Sequence, residues 1–203
     1  MFGFEPRLPI TEEQRLWVNE GFQRLDKLLG RQRMLESRAI EPTAKDFPDY
    51  YDNTPFAVEQ LFARVCSYMR VDRNVVELEI FPDETEELRR ILPSWTSGGE
   101  AQAAGLYLHG HEREQTEGAP MLIAIRSTMI KDPMFLVATI AHELGHAILL
   151  GRRLMSPLTP DHEPITDLLT VYLGMGIFNG NSAARFRQFQ DEGRIGWSTQ
   201  RLG

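Results

Sequence analysis

Apolar and polar positions repeat along this chain with two different periods, and each period predicts one type of element. A helical period predicts helices from Thr11 to Leu29 and from Thr54 to about Arg70. A period of two predicts three short strands: Val75–Phe81, Leu106–Leu108 and Met121–Arg126. Two largely apolar helices are predicted after the last strand, over residues 133–151 and 161–173. This order predicts an α+β fold, with a small mixed sheet of about three strands followed by two helices.

The N-terminal third is predicted to pack on the same domain. On the first helix the apolar stripe includes Leu16 and Trp17, and on the second we expect Phe56 to be buried with Leu61 and Phe62. Arg31–Asn53 shows no regular period and is predicted to be an irregular loop over the core, with a flap beside a substrate site as the alternative. At 203 residues, a single domain spanning 1–203 is expected, with residues 1–53 as a helical and irregular extension packed on it.

The helix predicted at 133–151 has clear ends and an unusual interior. Asp132 is a good N-cap, Pro133 suits the first helical position, and Gly151 suits the residue after the last turn. Between Pro133 and Gly151 the ionisable side chains are His142, Glu143 and His146, and all other residues are apolar or small. We therefore expect this helix to be buried on nearly every side.

Those three residues form a His-Glu-x-x-His motif. Residues four apart on a helix lie one turn apart on one face, so both imidazoles would point the same way, as two zinc ligands must. Glu143 would lie close enough to act on water at the metal without binding the metal itself. A buried carboxylate beside two imidazoles is costly unless a charge compensates it, and a bound cation is the simplest compensation. The alternative is a hydrogen-bonded structural cluster without metal.

A catalytic zinc ion takes three protein ligands, and the candidates for the third lie on the next helix. Asp161 is expected to cap this helix, whose face opposite its apolar stripe carries Glu163 and Asp167 one turn apart. Two carboxylates at that spacing repel each other unless one binds a cation and the other accepts a ligand histidine's N–H. We assign Glu163 as the ligand and Asp167 as that acceptor. His162 and Asp167 remain alternatives for the third ligand.

Glycines inside apolar helices indicate close contact between helices. Gly145, Gly174 and Gly176 would each cost about 1 kcal/mol relative to alanine in a helix interior. They therefore predict that the two helices approach closely enough to share one metal. Residues 179–182, Asn-Gly-Asn-Ser, then separate the second helix from a polar tail at 183–203.

The sequence from Thr139 to Ile148, followed by Glu163-Pro164-Ile165-Thr166-Asp167, resembles the zincin metallopeptidases. It is most similar to the gluzincin branch, whose downstream helix carries Glu-x-x-x-Asp, and also to small bacterial zincin-like proteins of unassigned substrate. The resemblance covers about residues 132–178. It departs from the gluzincin pattern in the short connection between the helices and in the proline directly after Glu163.

The resemblance implies a function for each matched residue. His142, His146 and Glu163 would bind Zn²⁺, Glu143 would be the general base of peptide hydrolysis, and Asp167 would orient a histidine. The partner would then be a peptide or protein substrate, which pairs with the strand before the site helix, here Leu122–Ser127. The alternative is a non-hydrolytic zinc-binding structural or regulatory protein with a zincin-like fold. The hydrogen-bond donor that would stabilise the oxyanion has four candidates, chosen by position alone: Tyr107, His109, His111 and Arg126.

Composition bears on the partners and the cellular location of the protein. A net charge of −7 without a basic stripe disfavours nucleic acid as a partner. Cys66 is the one cysteine, so no internal disulfide can form, and we expect it to be a buried structural thiol. The chain begins without a signal-peptide pattern, and no run of about 18 uninterrupted apolar residues predicts a membrane span. We therefore expect a cytoplasmic protein without a membrane partner; the oligomeric state is left open.

Overall fold

The structure is a computed structural model that describes residues 10–81, the backbone of 105–108, and residues 120–182. Its helices are α1 (Glu12–Leu29), α2 (Arg31–Leu35), α3 (Pro55–Met69), α4 (Pro133–His146) and α5 (His162–Tyr172). Its strands are β1 (Val76–Phe81), β2 (Gly105–Leu108) and β3 (Met121–Arg126). Short 3-10 turns at Arg73–Val75 and Ser127–Lys131 flank the sheet, and a π-helical turn, Ala147–Gly151, continues α4. The protein is therefore a mixed helix-and-strand fold, as the sequence predicts.

The three strands form one mixed sheet in the order β1-β3-β2. β3 pairs in parallel with β1, with Val76 opposite Met121, and antiparallel with β2, with Leu108 opposite Leu122. Residues 122–125 of β3 are all buried, which is typical of a strand covered on both faces. The strand that leads into the site helix is therefore the middle strand of the described sheet.

The core is built around α4. Asp132 accepts a hydrogen bond from the Phe135 N–H at 3.1 Å, so the predicted N-cap is present. From Leu136 to Leu149 nearly every side chain is buried, against α3, α5 and strands β2 and β3. By length and composition the helical stretch Pro133–Gly151 could cross a membrane, but 72% of an apolar 18-residue stretch within it is buried inside the protein. This is consistent with the core helix of a soluble protein.

The N-terminal helices begin where predicted, but their burial differs from the prediction. Thr11 and Gln14 form a reciprocal capping box at the start of α1, and Thr54 caps α3. Phe56 is 71% exposed, so its predicted burial is wrong, and Leu16 on α1 is also exposed. Cys66 is buried among the apolar residues of α3, and burial raises the pKa of its thiol to about 12. The predicted structural thiol is thus confirmed.

The segment predicted as an irregular loop contains the short helix α2 and folds over the core. Ile40 is buried, and its N–H donates to the Gly174 carbonyl at 2.8 Å. Asp46 is also buried and accepts hydrogen bonds from Arg38 Nη1 at 2.9 Å and from the Glu41 N–H at 2.8 Å. The hydroxyl of Tyr68 on α3 donates to the Asp46 carbonyl. Asp46 is therefore the residue that ties this loop together and fastens it to α3.

Helix α1 is fastened to both ends of α5. Arg24 lies 3.2 Å from both carboxylate oxygens of Asp161, the residue before α5. At the other end the Tyr172 hydroxyl lies 2.9 Å from Asp26 Oδ1 and 3.0 Å from the Gly30 carbonyl. The predicted capping of α5 by the Asp161 side chain is wrong, because that carboxylate binds Arg24 and makes no cap hydrogen bond.

Helices α4 and α5 meet at Gly145. A methyl group at Gly145 would lie 2.8 Å from Cγ2 of Thr166, closer than real side chains approach. The predicted close approach is confirmed here but not at the other two glycines. Gly174 follows α5 with φ +88°, and a side chain there would meet the Arg38 carbonyl; Gly176 faces Val171. Only glycine readily adopts that φ in so small a space, which explains Gly174 without any contact to α4.

We expect Gly145→Ala to lower the melting temperature. Overpacking against Thr166 costs about 1–3 kcal/mol, more than the roughly 1 kcal/mol that alanine gains over glycine in a helix. The matched control is Gly180→Ala, in helical residues 176–182, where nothing lies within 4 Å of the added methyl group. Thermal denaturation should show a lower melting temperature for Gly145→Ala and an unchanged or higher one for Gly180→Ala. Equal melting temperatures would contradict the close packing.

Asp46→Asn should lower the melting temperature at pH 7, and this difference from wild type should disappear in acid. Hydrogen bonds from Arg38 and from the Glu41 N–H lower the pKa of Asp46 to about 2. A carboxyl group with a lowered folded-state pKa stabilises the fold above its unfolded pKa of about 4 and loses that contribution as the pH falls towards 2. Melting temperatures of wild type and variant should therefore converge between about pH 4 and pH 2. Asp49→Asn, which removes a more exposed carboxylate paired with Arg64, is the control with the smaller expected loss.

Candidate metal centre

The two histidines of α4 point to the same place. Their Nε2 atoms are 3.0 Å apart, as residues four apart on one helix allow. The side chain of His146 is 8% exposed and that of His142 26%, so the pair lies at the edge of the core, with one ring inside and one at the surface. The rings meet edge to face, with centroids 4.7 Å apart.

Glu163 brings a carboxylate oxygen from α5 to the same point. Its Oε2 lies 3.1 Å from Nε2 of His142 and 3.3 Å from Nε2 of His146. The contact of α4 with α5 at Gly145 is what places Glu163 within reach of both rings. In the described part of the chain, these three residues form a group whose ligand atoms all lie within 4.8 Å of one another and could hold a metal ion.

The hydrogen-bond partners of the two Nδ1 atoms determine which nitrogen of each ring carries a proton. Asp167 Oδ1 lies 2.9 Å from Nδ1 of His142, and a carboxylate can only accept, so that Nδ1 carries a proton. The Thr166 hydroxyl donates a hydrogen bond to the His162 carbonyl at 2.8 Å. Its oxygen, 3.4 Å from Nδ1 of His146, therefore accepts from that nitrogen, so Nδ1 of His146 also carries a proton. In the neutral imidazoles both Nε2 atoms therefore carry lone pairs, and both lone pairs face Glu163.

Three acceptor atoms so close together are stabilised by positive charge placed among them, and a metal ion is one source of that charge. A tetrahedral zinc site with bonds of about 2.0–2.1 Å has neighbouring ligand atoms about 3.3–3.4 Å apart. The observed triangle, with edges of 3.0, 3.1 and 3.3 Å, is close to that size. Two imidazole nitrogens and one carboxylate oxygen also suit zinc, iron, nickel or copper better than magnesium or calcium. The residues therefore fit a transition-metal ion.

Without a metal, a proton supplies part of the missing positive charge. Burial opposes protonation of His142, but hydrogen bonds to Asp167 and Glu163 and the nearby charge of Glu143 raise its pKa to about 10. Hydrogen bonds to His142 and His146 hold the pKa of Glu163 well below its ordinary value. The carboxylates around these rings thus stabilise positive charge strongly, and a metal ion would compete with the proton on His142 for them.

Glu143 lies between the two histidines in sequence and is almost fully buried, at 5% exposure. It is not part of the ligand triangle, yet its charge contributes to the raised pKa of His142. A carboxylate held at this edge of a metal centre can accept a proton from water, provided that water reaches the centre. Glu163, with a side chain 56% exposed, marks the side on which the centre is open to solvent.

His162, an alternative third ligand, lies on the far side of Glu163. Its Nε2 is 3.0 Å from Glu163 Oε1, while its Nδ1 is 3.0 Å from the Thr159 carbonyl. Its ring is 6.0 Å from that of His146. The geometry brings Glu163 into the triangle with both α4 histidines, whereas Asp167, the other alternative, binds the outer nitrogen of His142.

The predicted substrate-pairing strand needs correction. β3 is hydrogen-bonded to β1 on one side and to β2 on the other, so it has no free edge for a peptide. In the described part of the sheet, β2 has β3 on one side only, and it contacts α4. Of the predicted oxyanion donors, Arg126 ends β3, while His109, His111 and the side chain of Tyr107 lie outside the described residues.

Two residues around the site are absent from the predictions. Thr166 accepts from His146, and its Cγ2 methyl packs on Gly145, so it determines both a ring orientation and the helix spacing. Asn179, which contacts Asp167, lies in helical residues 176–182, although its segment Asn-Gly-Asn-Ser looks like a connection in the sequence. No spacing rule connects either residue to the His-Glu-x-x-His motif.

The geometry therefore offers two imidazoles and a carboxylate as metal ligands, a buried carboxylate beside them, and an open side. Comparison of the chain with known protein families, with curated proteins and with solved structures finds no match. The chemistry of these side chains is accordingly the basis for a functional conclusion.

Proposed function

We propose that this protein is a zinc-dependent hydrolase with a zincin-like fold, most similar to the gluzincin branch, and that it cleaves peptide bonds. His142, His146 and Glu163 hold the metal, Glu143 is the general base, and Asp167 orients His142. The observation that carries the proposal is the triangle of three acceptor atoms, with edges of 3.0–3.3 Å, beside a buried glutamate.

The proposed chemistry divides between the metal and the chain. When bound, zinc would polarise a carbonyl group and lower the pKa of water at its open position. Glu143 then accepts a proton from water on its carboxylate and passes it to the leaving nitrogen. Glu143 suits this work because it is 5% exposed, follows His142 directly in the sequence and lies outside the ligand triangle.

Glu143 is also what favours hydrolysis over oxidation. Two histidines and one carboxylate are also the ligand set of many non-haem iron oxygenases, so the ligands alone do not select zinc. An adjacent buried carboxylate outside the ligand set has a direct use in hydrolysis, as a base for water.

The proposal extends to how the substrate binds and to where in the cell the protein acts. An extended peptide would pair with β2, since this strand has β3 on one side only in the described sheet and lies against α4. The negative net charge of −7 argues against nucleic acid as the substrate, and a cytoplasmic location suits a chain whose one cysteine is a buried thiol.

The ligand set is tested by metal content and affinity. Elemental analysis should find one zinc per chain, and His146→Ala and Glu163→Ala should each lower the affinity at least about 100-fold. Asp167→Ala should lower it about 10- to 100-fold, as expected for a residue that orients a ligand. His162→Ala should cost less than either. An equal loss from His162→Ala and Glu163→Ala would contradict Glu163 as the sole third ligand, and iron in place of zinc would overturn the zinc assignment.

Glu143→Gln separates an enzyme from a zinc-binding structural or regulatory protein. The variant should keep one zinc per chain, because Glu143 is outside the ligand triangle. It should lose about 100- to 10,000-fold of the hydrolysis rate, the usual contribution of a general base. The measurement is cleavage of a peptide library followed by mass spectrometry, with the exposed Glu13→Gln as the matched control. Zinc binding by wild type with no cleavage of any peptide would favour the non-hydrolytic alternative.

A further inference from the structure

We propose that Asn179 is a positioning residue of the metal centre: its side-chain amide holds Asp167, and Asp167 in turn holds the ring of His142. The inference rests on the metal site proposed above. It extends that site to a helical segment, residues 176–182, that supplies no ligand and no base.

The amide of Asn179 is surrounded by acceptors. Its Nδ2 lies 2.9 Å from Thr170 Oγ1, 3.2 Å from Asp167 Oδ1 and 3.3 Å from the Asp167 carbonyl. The Thr170 hydroxyl donates a hydrogen bond to the Asp167 carbonyl at 2.7 Å, so towards Asn179 its oxygen can only act as an acceptor. All three neighbours require a donor, and this fixes which way the amide of Asn179 points.

Asn179 and His142 donate to the same oxygen. Asp167 Oδ1 accepts from Nδ1 of His142 at 2.9 Å and from Asn179 at 3.2 Å. A continuous path of hydrogen bonds therefore runs from residues 176–182, through α5, to a ligand on α4. Since Asp167 accepts a hydrogen bond from Nδ1–H of His142, the lone pair of the neutral ring is on Nε2, which faces Glu163 and His146.

Asp167 needs this second donor because it lies at the surface. Its side chain is 55% exposed, so water competes for its oxygens and burial does not restrict its rotation. By contrast, His146 is buried and has the packed Thr166 beside it. The orientation of His142 therefore depends on hydrogen bonds more than that of His146 does.

The segment that carries Asn179 is well anchored. Phe178 directly before it is 2% exposed, and its ring packs edge to face with Phe47 at 5.4 Å. Met175 is also buried. A donor on a support of this kind can hold an exposed carboxylate in one orientation, as sites with a defined geometry require.

The experiment measures zinc affinity of the full-length variants by competition with a chromogenic chelator. Asn179→Ala should weaken zinc binding about 3- to 10-fold, less than the 10- to 100-fold typical of a residue that contacts a ligand directly. Asn179→Asp keeps the shape but replaces the donor with a carboxylate facing Asp167, so it should weaken binding more than Asn179→Ala does. Asn181→Ala, an exposed asparagine in the same helical segment, is the matched control and should bind zinc as wild type does.

Two further readouts separate positioning from a general structural role. In the Co²⁺-substituted protein, Asn179→Ala should alter the visible absorption spectrum, whereas Asn181→Ala should not. In an Asp167→Ala background, Asn179→Ala should cause no additional loss of zinc affinity, because the two residues act through one path. A structural role would instead give additive losses that follow the melting temperature of the metal-free protein.

The outcomes are distinct for the two proposals. If wild type binds zinc and Asn179→Ala binds it equally well with an unchanged cobalt spectrum, the positioning role is overturned and the metal site stands. Additive losses in the double variant would overturn it as well. If wild type binds neither zinc nor cobalt, the proposed function itself fails.

Discussion

The centre of this structure depends on one electrostatic constraint: three acceptor atoms from two helices lie within 3.3 Å of one another. Lone pairs at that distance repel unless a positive charge lies among them. The surrounding structure keeps the atoms together. Gly145 lets α5 approach α4, Thr166 and Asp167 accept from the outer nitrogens of the two rings, and the buried α4 prevents the histidines from moving apart.

The elements that sequence reasoning predicts well are those with strong local signals. Threonine or aspartate caps and prolines at the first helical turn mark the starts of α3 and α4, and period-two runs mark the strands. Burial and pairing are harder, because they depend on contacts distant in sequence. Phe56 lies on a predicted apolar stripe but is exposed, and Asp161 binds Arg24 137 positions away instead of capping its own helix.

Strand order shows the same limit. Met121–Arg126 has the pattern of a strand, but nothing within it says whether one or both edges are paired. The parallel partner β1 precedes it by more than 40 positions, and this pairing removes the edge that the resemblance assigned to a substrate. Local pattern therefore predicts that a strand exists, whereas its neighbours follow from the packing of the whole domain.

At the site, spacing along a helix identifies the groups that share a face. His142 and His146 meet for this reason, and the carboxylates of Glu163 and Asp167 both reach His142, although both are more exposed than an apolar segment suggested. Asn179 and Thr166 carry no such signal, since an asparagine or a threonine is common in helices and turns of every kind. Their contacts exist only because residues 176–182 and α5 pack beside α4.

The fastening of α1 across the outside of α5 sets the minimum size of a fragment that could reproduce this centre. Arg24 holds one end of α5 through Asp161, and Asp26 and Gly30 hold the other end through Tyr172. A synthetic peptide spanning α4 and α5 alone would contain every proposed ligand and still lack these two external ties. The motif would be complete in such a peptide, but the distance between its two helices would not be maintained.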